Sequence, residues 1–140
     1  MKYLAIGLAA CAVMAYGAYA TAGAGSTRTV EIVINHSTFD ASKLKVEAGE
    51  TVEFVLHNED PIDHEFIVGD RHVQDVHEEG TEADHDERAT EVTIPAGESI
   101  ETTITFEEEG PLVSADPLLF GCHLPGHYDY GMKGVIDVTR

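Results

Sequence analysis

The chain has 140 residues, with 26 acidic and 8 basic side chains and a formal net charge of −18 at pH 7. This length supports one domain with a modest core, and so acidic a surface argues against nucleic acid or an anionic membrane surface as a partner. We expect a monomer that meets a redox partner protein with a basic docking face. The alternative to a docking role is that the charge serves solubility alone.

Residues 1–20 are predicted to be a secretory signal peptide. Lys2 precedes an uncharged apolar run from Leu4 to Met14, and Ala18-Tyr19-Ala20 forms an A-x-A cleavage site. We therefore expect export to the periplasm or the extracellular space.

Two other interpretations of this N-terminal segment remain open. The apolar run from Tyr3 to Ala22 is long enough to act as an uncleaved membrane anchor. Leu8-Ala9-Ala10-Cys11 also resembles a lipobox, in which Cys11 would carry a lipid. Either alternative attaches the exported chain to a membrane through its N-terminus.

The rest of the chain, residues 28–140, predicts one all-β domain that follows a flexible linker at residues 21–27. Alternating segments rich in β-branched residues predict short strands, whereas residues 39–46 alternate less regularly. Strands at this spacing are typical of an antiparallel Greek-key β-sandwich or barrel. The predicted strands lie at residues 29–34, 51–56, 64–68, 91–94, 99–106, 118–120 and 134–138.

One acidic insertion interrupts the strand pattern at residues 69–89. It contains His72, His77 and His85 among many carboxylates, and residues 71–79 predict a short helix whose two valines face the domain. We interpret the insertion as a solvated acidic surface segment. The alternative is an additional metal-binding or docking loop, because imidazole together with carboxylate binds Cu(II) or Zn(II).

Cys122, His127 and Met132 form the most informative pattern in the chain. Four residues separate each donor from the next, and the intervening proline and glycines are turn residues that allow the loop to curl. A thiolate, an imidazole and a thioether make a soft ligand set, which suits copper better than magnesium, calcium or manganese. The pattern therefore predicts a copper site.

Cys122 stands alone in the exported chain, because Cys11 lies in the signal segment. An unpaired thiol in an oxidising compartment is a hazard unless it is buried or bound to a metal. A trigonal copper site also needs a second imidazole. His64 is the preferred candidate, and His57 fits less well. Zinc is the alternative metal, but it leaves the spacing of Met132 unexplained.

The domain resembles a cupredoxin, the small blue-copper fold, from about Val30 to Val138. The resemblance rests on the segment Leu44–Val52, on Asn58 and His64, and on the loop that begins at Cys122. The C-x-x-x-x-H-x-x-x-x-M spacing of this loop is similar to that of rusticyanin-like cupredoxins, whereas plastocyanin-type loops are shorter.

The resemblance implies one type 1 copper ion per chain. It makes His64, Cys122 and His127 the equatorial ligands and Met132 the long axial ligand. His123, which follows Cys122 directly, is expected to lie beside the site or at the surface, because one small domain cannot supply the other ligands of a multicopper enzyme.

These features predict a one-electron carrier that cycles between Cu(II) and Cu(I). The alternative is an exported copper-handling or copper-resistance protein without a role in electron transfer. We expect no enzymatic activity, because four protein ligands leave copper no open position and no acid–base signature is present. The resemblance implies electron exchange near His127, with Leu124, Pro125 and Tyr128 lining an apolar docking patch.

Overall fold

The fold is that of a computed structural model, which describes residues 27–80, 85 and 88–140. The predicted signal peptide, the linker up to residue 26 and part of the acidic insertion lie outside the described residues. No helix among the described residues is long and apolar enough to cross a membrane.

The elements agree closely with the predicted ones. All predicted strands are present, and β2 and β3 lie in the poorly alternating stretch. Thr27, assigned to the linker, is the first residue of β1, and the sequence did not predict α2. The elements are β1 (Thr27–Asn35), β2 (Thr38–Phe39), β3 (Lys43–Glu47), β4 (Thr51–Asn58), β5 (His64–Gly69), α1 (Arg71–Glu78), β6 (Glu91–Ile94), β7 (Ser99–Thr105), α2 (Pro111–Ser114), β8 (Leu118–Gly121) and β9 (Lys133–Thr139).

Two mixed sheets pack as a β-sandwich, which confirms the predicted fold class. The strand orders are β2-β1-β4-β7 in one sheet and β3-β9-β8-β5-β6 in the other. Most neighbours are antiparallel, but β1 with β4 and β3 with β9 are parallel. The alternating pattern of a strand reports which face is buried and carries no information on the direction of its neighbour, so these two pairs could not be predicted.

The core lies between the two sheets. Along β4, Val52, Phe54 and Leu56 are buried in strict alternation with partly exposed neighbours, as the period of a strand requires. Phe66 of β5 packs against Phe54 and Phe120, at ring-centroid distances of 5.3 and 5.5 Å. Each such aromatic pair contributes about 0.5–1.5 kcal/mol beyond the area that it buries.

The helix α1 confirms the segment predicted at residues 71–79 and lies against the second sheet. The Asp70 carboxylate caps its N-terminus by accepting a hydrogen bond from the N–H of Val73 at 2.9 Å. The buried face carries Gln74 and His77, and Gln74 Nε2 donates to the carbonyl of Ile67 in β5 at 3.2 Å. This contact fixes α1 beside the strand that begins at His64.

Candidate metal centre

Three predicted ligands, His64, Cys122 and His127, meet at one end of the second sheet. The antiparallel pairing of β5 with β8 sets Ile67 opposite Gly121, which brings the start of β5 beside Cys122. His64 Nδ1 lies 3.8 Å from Cys122 Sγ, and His127 Nδ1 lies 3.4 Å from it. All three donor atoms lie within 4.8 Å of one another. We call these residues, together with Met132, the Cys122 site.

The loop between β8 and β9 is closed by its own backbone. The N–H of Cys122 donates to the carbonyl of Met132 at 3.0 Å, and the N–H of Met132 donates to the carbonyl of His127 at 2.9 Å. Gly126 and Gly131 have φ angles of 84° and 103°, which explains the two glycines, since residues with a Cβ rarely adopt such angles. The loop therefore buries Met132, which is 1% exposed, in the hydrophobic core beside Cys122.

Asp60 orients His64. The fully buried His64 donates from Nε2 to Asp60 Oδ2 at 3.0 Å, which leaves the lone pair of Nδ1 directed at Cys122 and His127. Burial of the Asp60 carboxyl opposes its ionisation. Hydrogen bonds from the N–H groups of Ser37 and His36, together with the one from His64, outweigh this effect and lower the pKa of Asp60. An ionised carboxylate therefore holds the ring in the tautomer that a metal ligand needs.

Burial raises the pKa of the Cys122 thiol to about 11, and hydrogen bonds from the N–H groups of Leu124 and Glu65 only partly oppose it. The Glu65 N–H lies 3.4 Å from the Cys122 sulfur. Burial also lowers the pKa of His127, and the nearby His64 lowers it further. A buried thiol beside two imidazole nitrogens fits a bound cation, because the cation would supply the charge that favours the thiolate.

The donor set fits copper. Two imidazole nitrogens and one sulfur converge, and Met132 is buried in the same loop. This combination of donor types is the one found in trigonal copper sites with a weak axial thioether.

His57 and His123 are not brought into the Cys122 site. His57 lies in β4 of the other sheet, where its Nδ1 is 2.8 Å from the Ser99 hydroxyl. The His123 side chain is 2% exposed, so it lies beside the site rather than at the surface. Its two ring nitrogens lie 2.8 Å from Glu78 and from Gln74, and burial lowers its pKa despite the hydrogen bond with Glu78.

The residues predicted to line a docking patch are arranged unevenly. Pro125 is exposed, and Leu124 and His127 are half-buried. Tyr128 instead stacks on His123, with a centroid distance of 4.5 Å and an interplanar angle of 20°. Tyr130, which the sequence did not single out, is 92% exposed.

The acidic insertion is not solvated throughout. His72 is exposed as expected, but His77 and His85 are 6% and 4% exposed, so the solvated-surface interpretation is wrong for these two residues. They lie beside the buried Glu91 of β6, and the donor atoms of the three residues are within 4.8 Å of one another. The contacts that bury these histidines come from strands remote in sequence, which the composition of the insertion could not reveal.

Sequence reasoning missed two residues that support the Cys122 site. Asp60 lies four residues before His64, in a loop whose acidic residues otherwise look solvated. Glu65 donates its N–H to the Cys122 sulfur and accepts the N–H of His123 on its side chain at 3.0 Å. The adjacency of Glu65 to a predicted ligand was the one available signal.

Comparison with known proteins agrees with this architecture. A family model described as Cupredoxin-like domain matches residues 7–111. The match ends before Cys122, so it is independent of the loop that carries three of the predicted ligands.

Curated relatives give a further comparison. The chain is 31% identical to the copper-resistant cuproprotein CopI of Pseudomonas aeruginosa, over 82% of this chain and 78% of that protein. It is 33% identical to the copper-resistant cuproprotein CopI of Rubrivivax gelatinosus, over 82% of this chain and 68% of that protein.

Among solved structures, the reduced auracyanin of Roseiflexus castenholzii has a TM-score of 0.65 at 24% identity, covering 83% of this chain and 100% of that chain. This likeness shows the fold alone. The family match and the two curated relatives confirm the resemblance noted in the sequence: the chain belongs to the family of cupredoxin-like domains.

Proposed function

We propose that this chain is an exported, mononuclear copper protein of type 1 that carries single electrons. His64, Cys122, His127 and Met132 would hold one copper ion. The observation that carries the proposal is the convergence of His64 Nδ1, His127 Nδ1 and Cys122 Sγ, with His64 and Cys122 fully buried. When bound, copper supplies a one-electron couple between Cu(II) and Cu(I).

The protein's own contribution is to hold these donors rigidly. Asp60 fixes the ring of His64, the loop backbone fixes His127 and Met132, and the Glu65 N–H contacts the Cys122 sulfur. Ligands that are held in place by such outer partners rearrange little when the charge at the site changes. Four protein donors leave no position for a substrate, so the role that we propose is not catalytic.

Electrons would enter and leave at the edge of His127. This residue is half-buried, and the exposed Pro125 and Tyr130 flank it in the same loop. We propose that a partner with a basic docking face meets the monomer there, since the formal net charge of −18 steers positively charged proteins. The rate of electron exchange with a basic partner should then fall as ionic strength rises, because salt screens the attraction. A rate that does not depend on salt would contradict the steering.

A role in copper resistance is the second candidate. It is favoured by the two CopI relatives, which are described as copper-resistant cuproproteins. In such a role the metal could be cargo rather than a resident cofactor. Burial of His64 and Cys122 at 0% exposure favours retention over release.

One titration tests the site and separates these roles. Cu(II) is added to the purified protein and to Cys122→Ser, and visible absorption and electron paramagnetic resonance are recorded. We expect an intense thiolate-to-copper band that saturates at one copper per chain in the wild type and is absent in the variant. Equal copper binding by both proteins without the band would overturn the proposed site. If the band forms but a competing chelator removes both oxidation states of copper readily, the cargo role is favoured.

A further inference from the structure

A second buried cluster of metal-binding side chains lies outside the Cys122 site. It consists of His77 from α1, His85 from the acidic insertion and Glu91 from β6, and we call it the His77 site. The three residues are 6%, 4% and 7% exposed. Imidazole and carboxylate groups are seldom buried together unless they are paired or bind a metal.

Hydrogen bonds outside the cluster fix which nitrogen of each ring faces inward. His77 Nδ1 lies 2.8 Å from the carbonyl oxygen of Val73, which can only accept, so Nδ1 carries the proton. His85 Nε2 lies 3.2 Å from Glu65 Oε1 and is paired with that carboxylate. In a neutral imidazole the other nitrogen then holds a lone pair. The inward atoms are therefore His77 Nε2 and His85 Nδ1. A carbonyl or carboxylate behind each ring is the usual support of a metal-binding histidine.

These two inward nitrogens are buried and make no hydrogen bond with any described residue. Glu91 Oε2 lies 3.5 Å from His77 Nε2 and 3.8 Å from His85 Nδ1, without hydrogen-bond geometry. Leaving a buried polar atom unpaired costs about 1–3 kcal/mol. A cation between the two lone pairs and the carboxylate would satisfy all three groups at once.

We propose that His77, His85 and Glu91 form a second metal site, which binds a divalent transition-metal ion of borderline softness such as Cu(II) or Zn(II). Two imidazoles and one carboxylate suit these ions, and by the general order of affinities Cu(II) binds more tightly than Zn(II). The proposal goes beyond the function assigned to the Cys122 site and does not depend on it.

The competing interpretation is a purely structural ion pair. Arg88 Nη1 lies 2.6 Å from Glu91 Oε2, and this contact already neutralises the carboxylate. It leaves both inward nitrogens unpaired, however, and protonating either ring would add a buried charge. The Arg88 side chain is 54% exposed, so it can shift to the other oxygen of Glu91 when a cation binds.

Two contacts connect the His77 site with the Cys122 site. Glu65 holds His85 through its side chain and contacts the Cys122 sulfur through its N–H. His123, next to Cys122 in the chain, has its ring 5.7 Å from the ring of His77. An ion in the His77 site would therefore be connected to Cys122 through Glu65 and would lie near His123.

Counting bound metal in matched histidine variants tests the proposal. The full chain and the variants His77→Ala, His85→Ala and His72→Ala are equilibrated with Cu(II), and in a second arm with Zn(II), and bound metal is counted after dialysis. His72 is the control, because it lies on the same helix but is exposed. We expect two ions per wild-type chain, one ion in each of the first two variants, and two in His72→Ala. The thiolate-to-copper band should be unchanged in all three.

A conservative variant guards against loss of folding. Glu91→Gln keeps the shape of the side chain and an acceptor for Arg88 while removing the charge, and it should weaken binding of the second ion by about 10-fold or more. A metal count in His77→Ala and His85→Ala equal to that of the wild type, or one ion per wild-type chain with the thiolate-to-copper band present, would overturn the proposal. If the band is absent but a metal ion is still lost in these two variants, the Cys122 site fails and the His77 site stands.

Discussion

The Cys122 site and the His77 site orient a buried histidine in the same way but offer different donor atoms. In each, an outer oxygen holds one nitrogen of a buried histidine and thereby directs the other nitrogen inward: Asp60 acts on His64, and Glu65 acts on His85. The Cys122 site adds a thiol, whereas the His77 site adds a carboxylate. The two donor sets therefore differ in softness, because a thiol suits a softer metal ion than a carboxylate does.

The two sites also differ in how the chain assembles them. One loop contributes Cys122, His127 and Met132, so only His64 must come from elsewhere in the sequence. The His77 site takes one residue each from a helix, an insertion and a strand. It therefore exists only after α1 has packed on the second sheet, and we expect it to be more sensitive to changes in tertiary packing.

The largest expected effect comes from removing one histidine in each site. His64→Ala should weaken copper binding at the Cys122 site by about 100-fold or more, because loss of an outer partner alone costs about 10–100-fold. His64→Ala should not affect the ion in the His77 site. His77→Ala should weaken binding of that ion and leave copper binding at the Cys122 site unchanged. Competition with a chelator of known affinity measures both. If each variant weakens both ions equally, the two sites are not independent and the comparison fails.

A smaller effect is expected from the carboxylate that orients His64. Asp60→Asn keeps one acceptor oxygen, which can serve Ser37 and His64 only if the N–H of His36 loses its acceptor, and it removes the charge that favours the inward lone pair. Copper affinity at the Cys122 site should fall by about 10–100-fold, with little change at the His77 site. Isothermal titration of Cu(II) provides the measurement.

Glu59→Gln is the matched control for Asp60→Asn. Glu59 is the adjacent acid, and its side chain accepts from Asn35 rather than from a histidine. We expect no change in copper affinity in this variant. An equal loss of copper affinity in both variants would show that the general acidity of the loop, and not the contact with His64, determines the affinity.

Glu65→Gln should act mainly on the His77 site. The single amide oxygen can still accept a hydrogen bond from the ring of His85, at the loss of the acceptor for the N–H of His123, and the amide lacks the negative charge that supports a metal-binding imidazole. We expect the affinity for the second ion to fall by about 10-fold, while the thiolate-to-copper band persists, because Glu65 contacts the Cys122 sulfur through its backbone. Loss of the band in this variant would mean that the side chain of Glu65 also maintains the Cys122 site.

These contacts show which parts of the molecule a sequence can reveal. The donors of the Cys122 loop are close in sequence, so their spacing alone indicated copper, and the alternation of β4 indicated its buried face. His64 required a preference among candidate histidines, because only the pairing of β5 with β8 brings it to Cys122.

The second cluster could not be found in this way. Glu91 opens a strand in which a carboxylate normally faces solvent, and its burial beside His77 depends on the packing of α1. The composition of the acidic insertion predicted a solvated segment, because composition does not distinguish buried histidines from exposed ones. Partners at long sequence separation, such as Asp60 for His36 and Ser37, have no local signature either.

The smallest expected effect comes from the ion pair of Arg28 with Glu50, which contacts neither site. A variant of this pair tests whether a change in general stability alone alters metal binding. Arg28 Nε lies 2.6 Å from Glu50 Oε1, and this hydrogen bond, against the opposing effect of burial, lowers the pKa of Glu50 below 4.5. Glu50→Gln should reduce the free energy of unfolding at pH 7 by about 0.2–1 kcal/mol, because Arg28 is 45% exposed and solvent screens the pair.

The pH dependence of this difference follows from the direction of the Glu50 shift. A carboxyl with a lowered pKa in the folded state stabilises the fold above its unfolded pKa, and that contribution is lost as the pH falls through the folded value. Urea unfolding should therefore give a difference between Glu50→Gln and wild type that is complete at pH 7 and vanishes well below pH 4.5. Glu53→Gln is the control, because the native Glu53 carboxylate accepts a hydrogen bond from the neutral Thr29 hydroxyl rather than from an arginine, and its substitution should cost less stability at pH 7. Metal counts should stay unchanged in both variants, because a change there would tie the two sites to overall stability rather than to their own contacts.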